Sequence, residues 1–429
     1  SIAFMSRQLF TTPSGMHDIL PEDSPYWEKV RQEVFEMAKF YDFGYVETPV
    51  LEFLGVFEKS LGVASEVVEK EIYCVKTKGG DELVLRPEGT APIMRAYLEH
   101  GWESIPQPVK AFYLGQMFRH ESPQAGRYRQ FHQFGFEVIG SEDPVSDAEL
   151  ILIAMNLLKD MGIKNLICEI NSLGDKTCRI KYKQALKDYF RNHIKKMCSN
   201  CQRRFKANPL RILDCKEEKC KEIILKAPQI LDFICDDCRS HFKKLIEFLD
   251  ELEVPYLLNP YLVRGLDYYT KTVFEIYNEE KRSSQSALAG GGRYDGLGEI
   301  LGGKNIPAVG FACGIERVIY EMKESKARVP QKPMPKIFLV QLGDLGKKKS
   351  LKLMEEFRKH NIFVSESLSK HSIKSQMKSA DKEGVKLTLI LGQKEALDNE
   401  IIIRDMTSGV QETIPIPKLI NEIKKRLKA

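Results

Sequence analysis

No window of the sequence approaches the roughly 18 uninterrupted apolar residues that a membrane helix needs, so a helical membrane protein is excluded. The first 20 residues lack a basic segment followed by an apolar one, and no secretory signal is expected. Internal repeats are absent, and neither sign of charge dominates: 65 basic residues face 60 acidic ones, a net +5. At 43% hydrophobic and 29% charged, the chain is too apolar to be disordered and ordinary for a soluble globular protein. Its 429 residues suggest about three domains.

Charge is uneven along the chain. Residues 334–429 hold 19 basic and 12 acidic side chains, a net +7, which leaves residues 1–333 at −2. A basic terminal module on a near-neutral body suits a polyanion-binding appendage, and equally a solvated lysine-rich surface.

Cysteine is also unevenly placed. Six of the ten fall within 41 residues, at Cys198, Cys201, Cys215, Cys220, Cys235 and Cys238. Without a secretion signal these are thiols in a reducing compartment, the cytoplasm, where metal binding is favoured over disulfides. Cys198-x2-Cys201 and Cys235-x2-Cys238 have the spacing of zinc knuckles. The expectation is a structural Zn²⁺ on Cys198, Cys201, Cys235 and Cys238, with Cys215 and Cys220 the competing second pair. Cys74, Cys168, Cys178 and Cys313 read as small core hydrophobes.

Helical periodicity over 25–43 places Trp27, Val30, Val34, Met37, Ala38 and Tyr41 on one stripe, between Pro25 and Gly44. Strand character follows at 45–50, 71–75, 83–85 and 109–118. The aromatic, alternating run 129–139 reads as a strand paired with 109–118 through a polar loop. A helix at 147–161 and a strand at 165–170 come next. From 176 to 250 the chain is lysine-rich and reads as short helices in a separate unit. Strands return at 256–263 and 273–277, then a glycine-rich turn at 289–298, a strand at 308–312 and a helix at 315–323. The proline-rich stretch 324–335 is a linker. Beyond it, strands at 337–342, 362–365, 387–391 and 401–405 alternate with helices at 346–360, 371–383 and 417–428, the pattern of a small α/β module.

Several segments could carry chemistry. Residues 118–137 concentrate Arg119, His120, Glu121, Arg127, Arg129, Gln133 and Glu137 around Phe131. Guanidinium forks suit phosphate oxygens and an aromatic ring suits a base, although an edge hairpin with a solvated loop has the same composition. Arg86-Pro87-Glu88-Gly89-Thr90 leads into a helix, where Glu and Thr could meet an ammonium group or simply start the helix. Residues 262–270 pack Arg264, Asp267, Tyr268 and Tyr269 around a turn. The run 289–296 lacks the order of a phosphate-binding loop and reads as a tight turn. Arg317 lies in the first turns of a helix after a strand, a place that favours anions.

Taken in order, these segments resemble histidyl-tRNA synthetases of the bacterial class II type, from Thr12-Pro13-Ser14-Gly15 to the C-terminal module. Residues 44–49 are similar to motif 1, residues 118–131 to motif 2 and residues 310–317 to motif 3 of that class. Leu262–Tyr269 and Ala289–Leu297 are similar to the histidine-specific motifs.

The resemblance implies an α+β architecture: an antiparallel, six-stranded catalytic sheet with a small insertion domain, plus a C-terminal α/β anticodon-binding domain. The bounds expected are 1–175 and 251–325 for the two catalytic parts, 176–250 for the insertion, 326–335 for the linker and 336–429 for the last domain. It implies a homodimer that activates L-histidine with ATP and Mg²⁺ and charges histidine tRNA. Arg119 and Arg264 would act at the α-phosphate. Arg317, Glu121, Arg127 and Phe131 would complete the ATP site. Glu88, Gly89, Thr90 and Gln133 would hold the amino and carboxylate region, with Glu137 and Tyr269 on the imidazole and Tyr268 and Tyr294 lining its pocket. A histidine-sensing regulatory subunit without catalysis is the competing reading. Its kind usually lacks the C-terminal module and loses motif arginines, all of which are present here. A plain RNA-binding protein would leave the ATP-site motifs unexplained. One departure stands out: Ser122 occupies a loop position where relatives often carry arginine, which bears on recognition of the tRNA end pair. Residues 1–4, ahead of Met5, are native or an upstream remnant.

Overall fold

A computed structural model of the chain describes residues 10–62, 65, 67–122, 126–281, 287–330 and 334–428. The question over residues 1–4 and the tip of the loop after Ser122 (123–125) lie outside the described residues. The chain divides into two compact units, Ser1–Pro330 and Gln331–Ala429.

The first unit opens with α1 (Ser24–Phe40), whose buried stripe Trp27, Val30, Val34 and Ala38 follows the helical period. The expected strand at 45–50 is cut short: β1 is Gly44–Tyr45, since Pro49 has no N–H to give and restrains Thr48. The chain continues through β2 (Leu51–Phe53), α2 (Leu54–Leu61), β3 (Tyr73–Lys76), β4 (Glu82–Leu85) and α3 (Thr90–Glu99). The long hairpin of β5 (Val109–Phe118) and β6 (Gln130–Ile139) comes next, followed by α4 (Val145–Asp160) and β7 (Leu166–Ser172).

Four helices then interrupt the sheet: α5 (Lys176–Arg191), α6 (Ser199–Ala207), α7 (Glu218–Ile224) and α8 (Asp236–Glu251). The thiols within them do not group as the sequence spacing suggested. Cys198 and Cys201 meet Cys215 and Cys220, whereas Cys235 and Cys238 meet Cys178 and Asp175. The Cys198 N–H donates to Cys220 Sγ at 3.3 Å, and the Cys235 N–H donates to Cys178 Sγ at 3.1 Å. The two knuckles therefore dock on different helices and cannot share one ion. Cys178 is correspondingly not a plain core residue.

The chain returns through β8 (Tyr256–Leu258), β9 (Thr270–Asn278), β10 (Ala289–Arg293), α9 (Leu297–Ile300), β11 (Ala308–Gly314) and α10 (Ile315–Glu324). Strand β8 stops before Pro260 rather than running to 263. The eight-stranded sheet has the order β1-β5-β6-β11-β10-β9-β7-β8. Its six inner strands are antiparallel throughout, and β1 and β8 add to the two edges in parallel. Strands β2, β4 and β3 form a separate small sheet.

The glycine-rich stretch expected as a turn is a central strand, fully buried as β10. Its glycines are required by its neighbours. A Cβ on Gly290 would fall 2.5 Å from the Arg264 guanidinium, and one on Gly291 would fall 2.2 Å from the Gly310 carbonyl. The turn begins only after Arg293.

Alternation along the strands makes two faces. Phe134, Phe136 and Val138 of β6, Phe274 and Ile276 of β9, and Val309 and Phe311 of β11 pack under α1, α4, α8 and α10. Gln133 and Glu137, Glu275, and Gly310 alternate with them and belong to the opposite face.

The second unit is a five-stranded sheet in the order β13-β12-β14-β15-β16, from β12 (Ile337–Gln341), β13 (Val364–Glu366), β14 (Leu387–Leu391), β15 (Glu400–Asp405) and β16 (Gln411–Pro415). Helices α11 (Gly343–Lys359), α12 (Ile373–Glu383), α13 (Gln393–Asp398) and α14 (Leu419–Lys428) accompany it. The first three strands in this order pair in parallel and the last two join antiparallel.

Candidate active site

A cleft of 330 Å³ opens on the face of the large sheet opposite α1, α4, α8 and α10. Its lining draws together Glu88, Thr90, Arg119, Glu121, Arg127, Phe131, Gln133, Arg264, Tyr268, Tyr269 and Arg317. These residues come from the start of α3, the β5–β6 hairpin, the segment before β9 and the first turn of α10. Gly290, Ala312 and Gly314, small or without a side chain, also line it.

One end is cationic. Arg119 is held by a hydrogen bond from Nε to the Pro87 carbonyl at 2.8 Å, with its guanidinium 5.5 Å from the centre of the Phe131 ring. Glu121 lies 3.8 Å from Arg119 and 3.1 Å from Arg127. Arg317 donates to the carbonyls of Gly126 (3.3 Å) and Ala287 (3.0 Å), which aims its head into the cleft. Burial pushes its pKa below the usual arginine value, and the nearby charge of Arg127 adds to the effect. Crowded guanidinium groups of this kind suit a polyanion with several oxygens to share among them.

Arg264 occupies the middle. It forms an ion pair with Glu275 and lies 5.8 Å over the Tyr269 ring. Its Nε has no partner among the described residues; nor do three further buried atoms of the lining, Tyr113 Oη, Arg127 Nε and Gln133 Oε1. Buried polar atoms are rarely left unpaired, so four at one cleft mark a place where a polar ligand completes the bonding.

The other end is acidic and phenolic. Glu88 accepts from the Thr90 and Ala91 N–H groups at 2.8 and 2.9 Å, which caps α3, and from the Tyr268 hydroxyl at 3.3 Å. Gly89 separates Glu88 from the helix, and a Cβ there would fall 2.4 Å from the Tyr113 ring. Behind the lining, Glu137 has no solvent exposure. Its two oxygens accept from Thr90 Oγ1 at 2.8 Å and from Tyr294 Oη at 2.6 Å. Burial raises the Glu137 pKa to about 8, against the pull of those two hydroxyls. Burial likewise raises Glu88 and holds the Tyr268 and Tyr294 phenols well above their ordinary value. Glu137, Tyr294 and Gly89 are thus one layer removed from the cleft lining, supporting Thr90 and Tyr113.

Glu275, Tyr113 and Glu316 are among the lining residues that escaped the reading of the sequence. Glu275 alternates with Phe274 and Ile276 on β9, so period two alone would have put it on the cleft face. Tyr113 follows the same logic on β5. Glu316 accepts from the His132 backbone N–H at 2.9 and 3.0 Å, tying α10 to β6; no local pattern announces that contact.

Comparison with known proteins follows the same division of the chain. A histidyl-tRNA synthetase family model matches residues 15–318, and an anticodon binding domain model matches residues 336–426. A histidine–tRNA ligase of Dehalococcoides mccartyi is 45% identical over 419 residues, covering 98% of this chain and all of the relative. That of Halothermothrix orenii is 43% identical, covering 96% of this chain and 98% of the relative. Among solved structures, the apo histidyl-tRNA synthetase of S. aureus is similar with a TM-score of 0.78 at 36% identity, over 96% of this chain and 99% of that one.

Proposed function

The chain belongs to the histidyl-tRNA synthetase family, and from that premise we propose that its central cleft activates histidine between the arginines at one end and the Glu88–Tyr269 pocket at the other. The activity is that of a histidine–tRNA ligase: histidine and ATP are substrates, and the anticodon-binding domain engages the tRNA. The observation that carries the assignment of the cleft is the convergence of Arg119, Arg264 and Arg317 with a buried acid–phenol pocket in one cavity.

In this reading the histidine carboxylate attacks the α-phosphate, a mixed anhydride forms, and pyrophosphate leaves. No strong base is needed, because the carboxylate is already ionised; orientation and neutralisation of growing charge dominate. Arg119 and Arg264 supply that charge at the α-phosphate. Phe131 and Arg317 take the two faces of adenine, and Arg317, Arg127 and Glu121 border the outer phosphates, to which Mg²⁺ arrives bound as part of the ATP substrate. Glu88, Thr90 and Gln133 hold the ammonium and carboxylate groups. The imidazole is read by Tyr269 and, through the Thr90–Tyr294 layer, by Glu137. A site built of paired donors and acceptors rejects isosteres that leave those groups unmatched.

Histidine then passes to the 3′ end of histidine tRNA, with the loop after Arg119 reaching the acceptor end and the net +7 of residues 334–429 favouring contact with RNA phosphates. Ser122 on that loop leaves one fewer guanidinium for the end pair. A homodimer is supported by the apolar side chains around the motif 1-like segment: Phe40 is 79% exposed and Phe53 60%, with Phe35, Tyr45, Val50 and Leu51 beside them in sequence and also exposed. Among the described residues no helix is long and apolar enough to cross a membrane, and ten free thiols accord with a reducing cytoplasm.

The test is histidine-dependent exchange of pyrophosphate into ATP, with the other amino acids as controls. Exchange with histidine alone is expected. Histidine binding without exchange would move the cleft to a sensing role.

A further inference from the structure

We propose that the four-helix segment between β7 and β8 binds two zinc ions, one at Cys198, Cys201, Cys215 and Cys220 and a second at Asp175, Cys178, Cys235 and Cys238. In each group all four ligand atoms lie within 4.8 Å of one another. A tetrahedron with Zn–S bonds of about 2.3 Å has edges of about 3.8 Å, and the Cys198 and Cys215 sulfurs stand 3.7 Å apart. All ten cysteines of the chain are free thiols. Tetrahedral, sulfur-rich donor sets select zinc over the harder divalent ions, and each coordinated thiol gives up its proton on binding.

The surroundings are those of thiolate ligands. Backbone N–H groups point at sulfur in both groups: Cys201 to Cys198 Sγ at 3.4 Å, Cys198 to Cys220 Sγ at 3.3 Å and Cys235 to Cys178 Sγ at 3.1 Å. Such bonds stabilise negative charge on sulfur and hold each ligand in place. Asp175 divides its work. Its Oδ1 accepts from the Cys178 N–H at 2.8 Å and caps α5, while Oδ2 faces the Cys235 thiol at 3.6 Å. One oxygen is therefore left for an ion as the fourth ligand. Gly174 permits the approach, since a Cβ there would lie 2.5 Å from that of Cys178.

The two sites have different duties. The first joins α6, the turn at Cys215 and α7, all within the segment. The second joins its entrance on α5 to its exit on α8. That neck is bonded to the histidine-reading strand: the Gly174 carbonyl accepts from Thr270 Oγ1 at 3.0 Å and from the Lys271 N–H at 2.8 Å, and Arg179 donates to the Tyr269 carbonyl at 2.8 Å. An ion at the neck holds the backbone of Tyr269.

The claim is independent of the assigned activity, because metal content is counted without turnover. Elemental analysis of the full chain, purified without chelators, is expected to give two zinc ions per chain. The Cys201→Ser/Cys220→Ser and Cys178→Ser/Cys238→Ser variants are each expected to keep one. Should either variant fold poorly, cobalt(II) titration of the unaltered chain provides the same count, each of two equivalents bringing thiolate charge-transfer absorption and tetrahedral bands. One equivalent or none, absorption lacking the thiolate bands, or a disulfide at either group in a thiol count would overturn the proposal.

Discussion

Arg293 and Asp147 form an ion pair at 2.7 Å in which neither side chain is exposed to solvent. Arg293 ends β10, and its remaining donors go to the carbonyls of Ser141 and Asp143 at 2.8 and 2.9 Å and to Asp295 Oδ1 at 3.3 Å. The next residue, Tyr294, reaches Glu137. The pair therefore positions the Tyr294 phenol, which supports the cleft lining from behind through Glu137, without touching the cleft itself. Replacing Asp147 by Ala leaves the buried guanidinium with only the more distant Asp295 carboxylate, and a loss of about 3–5 kcal/mol is expected. Denaturant unfolding of the variant measures it, and a change below 1 kcal/mol on the order of a surface substitution would contradict the arrangement.

Arg264 sits between the two ends of the cleft, so its removal should affect chemistry more than occupancy. In Arg264→Ala the exchange rate is expected to fall by about 100- to 1,000-fold, the range for losing one charge-stabilising group. Histidine affinity, measured by calorimetry, should change far less. Near-normal exchange would remove Arg264 from the α-phosphate.

Glu137 links the pocket to pH. Its pKa is raised by burial from 4.5 to about 8 in the folded chain, so the folded state holds its proton more tightly than the unfolded state does. The resulting stability is fully present below about pH 4.5 and is lost as pH rises through about 8. Gln at this position cannot titrate. Over that window the melting temperature of the unliganded wild type should therefore decline relative to Glu137→Gln, and parallel curves would show that Glu137 ionises as a solvated acid. The same variant should weaken histidine selection more than ATP binding.

Phe131 lies against Arg119, and its proposed partner is adenine. Stacking is worth about 1–3 kcal/mol per base. Phe131→Ala should accordingly raise the KM for ATP by about 10- to 100-fold while leaving that for histidine nearly unchanged. Equal rises in both would point to a general collapse of the β5–β6 hairpin.

The hairpin itself was legible before any coordinates: β5 spans Val109–Phe118 as its composition suggests, and β6 begins one residue inside the expected run, at Gln130. Alternating aromatics on a half-buried strand leave a local signature. The buried stripe of α1 does the same at helical spacing. By contrast, Ala289–Arg293 was illegible as a strand because glycines carry no pattern. What excludes side chains there is Arg264 above and the Gly310 backbone alongside, both remote in sequence. Short elements such as α13 and β16 also passed unread, being too brief to complete a period.

The cysteines divide the two kinds of information most clearly. Local spacing alone identified Cys198-x2-Cys201 and Cys235-x2-Cys238 as ligand pairs, because two ligands separated by one turn must lie near each other whatever the rest of the chain does. It could not say which pairs meet, and the more distant pairing chosen from spacing was incorrect. The order of the motifs along the chain likewise determined the family, since each motif is read within a few bonded residues. Tertiary structure decided that Asp175 and Cys178 complete the second group, that Glu275 faces Arg264, and that Glu137 stands behind Thr90 rather than in the cleft lining. Each of these rests on hydrogen bonds and steric exclusion between segments brought together only by the packing of the sheet, and chain spacing carries no record of that distance.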